Sequence, residues 1–293
     1  MTSTDFFPVN LASDIEFALV FALLSLVTVL IAKQVQQIAL GLLDPPVEAA
    51  PSVRATQAAV DLGEGRLPRS DQLDAVALLR GGEPGLAELI RKRAFSEGWL
   101  SGEGDVLTVG PAAPRESPLS TSLRAALPFA RASELELARA SRRIAVKRAA
   151  ELEPLLVSRG LLRSPLAQAV GLLAFGAPAA LLFFLGLLRA DRALNLGHSA
   201  APAVLELVVC GLAFLALAKP EPRTETGARY VTWLRGATEA LAEDIAAGIA
   251  PNRDDLLLVI AARGAPDKSN RPLTSSSLSI TTEQGEGGGG GGG

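Results

Sequence analysis

Residues 166–188 read LAQAVGLLAFGAPAALLFFLGLL, twenty-three positions without a charged side chain. As a helix this run reaches about 34 Å, and the hydrocarbon core of a bilayer measures about 30 Å. Its only interruptions are Gln168 near the start and Pro178 near the middle. A buried helix of a soluble domain seldom stays apolar on every face for so long. Two further runs share this character. Residues 15–32 carry Glu16 at the edge with Ser25 and Thr28 inside, and residues 200–218 are broken only by Glu206. The expectation is a mainly α membrane protein with three transmembrane helices.

Composition supports this reading. The 293 residues are 48% hydrophobic but only 4% aromatic, and the net charge of −3 is too small to mark a polyanion-binding molecule. There is one cysteine, Cys210, and one histidine, His198, so neither an intrachain disulfide nor a zinc site of Cys and His ligands can be built. The sequence holds no Gly-rich phosphate loop with its Lys, no His-Glu metal motif and no Gly-x-Ser-x-Gly elbow. The expectation is therefore a non-enzymatic protein without catalytic residues, cofactor or metal.

The first run differs from a signal peptide. Residues 1–14 contain Asp5 and Asp14 but no Lys or Arg, whereas a signal peptide begins with cations. An uncleaved anchor is expected. Basic residues are retained in the cytosol during insertion. Lys33 follows run one, Arg159 and Arg163 precede run two, and Lys219, Arg223 and Arg229 follow run three. Arg189 and Arg192, in the loop expected over 189–199, argue the other way but are outnumbered. The bacterial inner membrane is the expected location, with the N-terminus outside and the C-terminus cytosolic.

Between and beyond the runs the chain divides further. Residues 1–43 form the anchor helix and its flank, ended by Asp44-Pro45-Pro46. Residues 44–69 read as a linker. Over 70–165, a helix capped by Ser70 closes at Gly81-Gly82, a second opens at Glu83-Pro84 with Leu86, Leu89, Ile90 and Ala94 on one face, and a hairpin turns at Ser101-Gly102-Glu103-Gly104. Two helices and a two-stranded wing predict a winged-helix-like region. Residues 166–218 make a transmembrane hairpin. Residues 219–265 make a cytosolic helical segment, with an amphipathic helix over 226–249 and a short apolar element over 256–262. Residues 266–293, ending in seven glycines, have little to bury and are expected to stay disordered. Ser96-Glu97-Gly98-Trp99-Leu100 is echoed by Ser158-Arg159-Gly160-Leu161-Leu162, through duplication or through shared helix-stop chemistry.

A basic helix is expected over 134–150, bearing Arg139, Arg142, Arg143, Lys147 and Arg148, with Leu135, Ala138, Ile144 and Ala145 partly opposite. A solvated face ranks first, contact with anionic lipid headgroups second and nucleic acid third. The 18 cations over 33–165 are nearly matched by 16 acids, which weakens the third reading. Glu206 is the candidate intramembrane polar site. A carboxylate inside a span usually faces protein or water. It either pairs with Arg189, Arg192 or His198 or relays an ion.

The string Leu73-Asp74-Ala75-Val76-Ala77-Leu78-Leu79-Arg80-Gly81-Gly82, the helix end Glu97-Gly98-Trp99-Leu100, the later Ser158-Arg159-Gly160-Leu161-Leu162 and Arg223-Thr224-Glu225-Thr226-Gly227 together resemble a family of uncharacterised bacterial membrane proteins. That family joins a conserved N-terminal region to a low-complexity, glycine-rich C-terminal tail. The resemblance implies architecture and no activity. Tails in that family often mix cysteine with glycine and serine; this tail has none. The expected function is that of a membrane-anchored interaction or scaffold protein whose partners are the bilayer and an unknown protein. A membrane-tethered nucleic-acid-binding regulator is the alternative, and a small transporter component built around Glu206 comes third.

Overall fold

Long apolar runs and alanine-rich segments leave the chain little choice but helix, and the computed structural model of the protein is mainly helical. It describes residues 14–44, 62–103, 106–111, 117–128, 131–195, 197, 201–249 and 252–264. The N-terminal flank, much of the linker, His198 and the glycine-rich tail lie outside the described residues. In chain order the elements are α1 (Asp14–Leu43), a 3₁₀ turn (Ser70–Gln72), α2 (Leu73–Ser96), β1 (Leu100–Glu103), β2 (Val106–Val109), α3 (Pro118–Ala126), β3 (Arg131–Ser133) and α4 (Glu134–Ser158). There follow α5 (Pro165–Asn195), α6 (Ala201–Ala218), α7 (Glu225–Ala237), α8 (Glu239–Ala246) and α9 (Arg253–Arg263). Two of these helices, α1 and α5, are long and apolar enough to cross a membrane. The chain divides into two compact units, residues 1–51 with 162–225 and residues 52–161 with 226–293.

In the first unit α5 packs against both α1 and α6. Phe21, Phe175, Leu182, Leu207 and Phe214 form the buried seam. Helices approach this closely only where a side chain is missing: a Cβ on Gly186 would collide with Leu207 of α6. A buried amide crosses the seam. Gln36 is 3% exposed and its Nε2 donates to the carbonyls of Gly171 (3.1 Å) on α5 and Ala218 (3.0 Å), the last residue of α6. Lys33 donates to Gln36 Oε1 at 3.0 Å and lies over the Phe175 ring. Beyond the helix ends Arg163 makes a bidentate bond to Asp44 (2.9 and 2.8 Å), and its Nη1 donates to the Glu221 carbonyl. The stretch 189–199, expected as a loop, is helical as far as Asn195. Arg189 is buried on that helix, and a helix this long carries its last cations without a turn.

In the second unit α4 and α9 both pack on α2. The pair of helices expected over 70–97 is present as the two halves of α2, which part at the non-helical Gly82 (φ 62°, ψ −155°) just before Pro84. The first half starts at Leu73, after the 3₁₀ turn, and not at a Ser70 cap. Leu86, Leu89, Ile90 and Ala94 are fully buried, as their spacing requires. The expected hairpin is present, but Ser101, Gly102 and Glu103, read as its turn, belong to strand β1 and pair with Thr108, Leu107 and Val106. Strand β3 extends it to an antiparallel sheet in the order β1-β2-β3. Neither β3 nor α3 is legible as an apolar run: β3 is only three residues long, and α3 buries only Ser120 and Leu123. Helix α4 runs eight residues past the expected Ala150, through Pro154. Its buried stripe is Leu137, Ala140, Ser141, Ala145, Ala149, Leu152 and Leu156, whereas Leu135 is 58% exposed. The expected helix over 226–249 breaks at Thr238, a buried residue whose hydroxyl donates to the carbonyls of Leu234 and Arg235. The short apolar element is α9, begun by Asn252, whose side chain caps Asp255 N–H.

The paired pentapeptides share a helix stop. Gly98 (φ 78°) and Gly160 (φ 68°) both take the left-handed conformation that ends a helix. The first stop leads into the sheet and the second into an isolated bridge, Leu162 to Arg223. Common capping explains the echo.

Candidate functional site

The basic helix is built by its first turn. Ser133 Oγ accepts from Glu136 N (3.2 Å) while Ser133 N donates to Glu136 Oε2 (2.8 Å), the reciprocal box that Ser-x-x-Glu encodes. The backbone and side-chain bonds from Ser133, with help from Arg139, hold the Glu136 carboxyl below its ordinary range. From this start the buried stripe turns one side of α4 inward, and the exposed side carries Arg139, Arg142, Arg143 and Lys147. Arg139, Arg143 and Lys147 stand four residues apart, so they form one line along the helix.

That line faces a cavity of about 1150 Å³ in the second unit. Its other walls come from the Ser70–Asp71 turn, from α3 with its cap Ser117, and from the start of α9 at Asp254 and Leu257. Arg148 lines it too, while Arg142 does not. Thus four of the five candidate cations share one groove. The side chains of Arg139, Arg142, Arg143 and Lys147 make no ion pair or hydrogen bond among the described residues.

Beneath them lies an ion-pair network that the sequence reading does not single out. Asp74, on α2 and 6% exposed, faces Arg93 Nη2 at 2.9 Å and Arg148 Nε at 3.6 Å. Arg148 also binds Glu151 at 2.6 Å. Glu97, whose side chain is fully buried, accepts from Arg253 (2.6 Å), Trp99 Nε1 (3.2 Å) and Ser117 N (3.3 Å), so it ties α2, α3 and α9 together. Ionised groups this deep persist only when compensated. Asp74 has a signal in the sequence: it is the one charge in the apolar string over 73–79. Glu97 and Arg253, 156 residues apart, have none.

Glu206 stands in the first unit on α6, half-buried. It and Arg189 each have a polar partner, so the carboxylate is not isolated. An apolar crevice of about 700 Å³ opens between α5 and α6, lined by Leu173, Phe175, Phe183, Leu207, Phe214 and Leu215 among others. Cys210 is half-buried on its wall, with Sγ 3.4 Å from Ser25 Oγ. Among the described residues no group of His, Cys, Asp and Glu is placed to hold a metal ion. Comparisons with protein-family models, with curated proteins and with solved structures found no match.

Proposed function

We propose that this chain is a non-catalytic, membrane-anchored interaction protein: α1, α5 and α6 span a bacterial inner membrane, and the second unit is presented in the cytosol to a protein partner. The observation that carries this reading is the first unit's surface. Leu19, Leu173 and Leu215 are 68%, 72% and 75% exposed, and few of the apolar residues of α1 and α5 are buried. Water penalises such a surface at roughly 25 cal/mol per Å², and lipid does not. Helix α6, with 18 residues, reaches about 27 Å, which supports counting it as the third span. Region 70–165 is read as winged-helix-like on its kinked helix pair and sheet. The family resemblance over 1–265 agrees with this layout.

Topology is tested with Cys210 replaced by alanine and single cysteines placed at Ser3, Ser101 and Ser276 in intact cells. An impermeant thiol reagent should label the cysteine at Ser3 alone. Labelling at Ser101 but not Ser3 overturns the orientation, and extraction of the chain by alkaline carbonate overturns the membrane reading.

A further inference from the structure

The exposed cations of α4 face a recess with apolar, hydroxyl-bearing and acidic walls, and these features together define what can fill it. At about 1150 Å³ the groove exceeds the range of about 300–1,000 Å³ usual for small-molecule pockets. A length of chain therefore suits it better than a metabolite. Six cations and five carboxylates line it. Arg93, Arg148 and Arg253 already have carboxylate partners. Arg139, Arg143 and Lys147, which make no ion pair among the described residues, all belong to α4. Of the acids, Glu136 and Glu151 share that helix but are bonded to Ser133 and Arg148, and Asp71 and Asp254 belong to other walls. A duplex presents phosphate on every side and would meet those acids. A flat headgroup layer meets rims before recesses.

The spacing is more specific. Residues four apart on a helix rise about 6.0 Å. Alternate residues of an extended strand, which point to the same side, are about 6.6 Å apart. Over three contacts, from Arg139 to Lys147, the mismatch totals only about 1 Å. The intervening side chains of such a strand point away from the cations, and Leu119, Leu127 and Ser122 are also among the groove's lining residues. We propose that this groove binds an extended peptide segment of a partner protein, with acidic side chains at every second position set against Arg139, Arg143 and Lys147. The inference rests on the interaction-protein reading and names the site and the chemistry of the partner.

The test uses the full chain in detergent or nanodiscs and two fluorescent peptides of identical composition. One alternates glutamate with serine; the other places its glutamates in one block and its serines in another. Anisotropy should show the alternating peptide binding the more tightly. The triple change Arg139→Gln, Arg143→Gln, Lys147→Gln should weaken that binding by about 3- to 150-fold, the equivalent of three lost exposed pairs. Arg142→Gln, outside the groove, should leave it unchanged. The triple change to glutamate should bind an alternating lysine–serine peptide instead, which also shows that the groove remains folded. Equal binding of the two glutamate isomers, or equal losses from Arg142→Gln and the triple change, overturns the proposal in favour of diffuse attraction. Binding of phosphatidylglycerol vesicles or duplex DNA that the triple change abolishes, with no peptide binding, overturns it in favour of those ligands. If no peptide binds while the chain still crosslinks to a protein in cells, the groove inference fails and the interaction reading stands.

Discussion

In the first unit the large apolar residues Leu173 and Leu215 point outward; in the second, Leu86, Leu89 and Ile90 are each 0% exposed. The polar groups differ as well. In the first unit Arg163 grips Asp44 beyond the helix ends, and Gln36 reaches two carbonyls of neighbouring helices. The second buries ionised groups in its centre, with Asp74 between Arg93 and Arg148 and Glu97 beneath Arg253. One chain thus uses two rules of assembly. Close backbone contact and a few bonds hold the first unit, while apolar burial around a compensated charge network holds the second.

This contrast can be broken at three places. Both tryptophans, Trp99 and Trp233, lie in the second unit, so indole fluorescence reports its unfolding alone within the intact protein. Asp74→Ala should have the largest effect, because it leaves Arg93 facing no carboxylate in a buried setting. Loss of one member of a buried pair costs about 3–5 kcal/mol. The tryptophan-detected midpoint in urea should fall accordingly while membrane insertion is retained. A loss below about 1 kcal/mol would show that the network is dispensable.

Gly186→Leu should follow, at about 1–3 kcal/mol from overpacking against Leu207. Here the tryptophan transition should stay fixed. Helical circular dichroism during titration with dodecyl sulfate should shift, and Leu207→Ala in the same chain should restore part of the loss. An unchanged titration would mean that α5 and α6 have no tight seam.

The smallest effect has the opposite sign. Tyr230 is fully buried, and its hydroxyl has no hydrogen-bond partner among the described residues. Tyr230→Phe removes an unpaired polar atom and should stabilise the second unit by about 1 kcal/mol. Burial also pushes the phenol pKa above its ordinary value of 10.0. Its neutral form is favoured in the folded state, so this contribution is intact below pH 10.0 and is lost as pH rises beyond it. The wild-type tryptophan midpoint should therefore decline above that pH more steeply than that of Tyr230→Phe. Parallel curves would place the hydroxyl in contact with water.

Local chemistry explains which parts of this structure can be read from sequence. Asp44-Pro45-Pro46 ends α1 after Leu43, Gly81-Gly82 marks the kink of α2, and Ser-x-x-Glu starts α4 at Glu134, because each is a backbone rule acting over a few residues. The end of α5 is not legible in this way. Arg189 and Arg192 look like loop cations, yet the helix has no breaker before Asn195. The cation line along α4 follows from spacing alone. The recess in front of it depends on α3 and α9, which are placed by long-range contacts such as Glu97 with Arg253, and no window of sequence contains both ends of such a contact.

The bond from Gln36 to the Gly171 carbonyl also bears on biogenesis. The donor precedes its acceptor by 135 residues and the Ala218 carbonyl by 182. At a synthesis rate of about 5–20 residues per second, Gln36 waits roughly 7–27 s for Gly171 to be made. Throughout that interval α1 is complete, apolar and carries a side-chain amide whose final acceptors do not yet exist. The nascent chain therefore passes through a stage in which its first helix needs a temporary host, and the arrival of α5 and α6 ends that dependence.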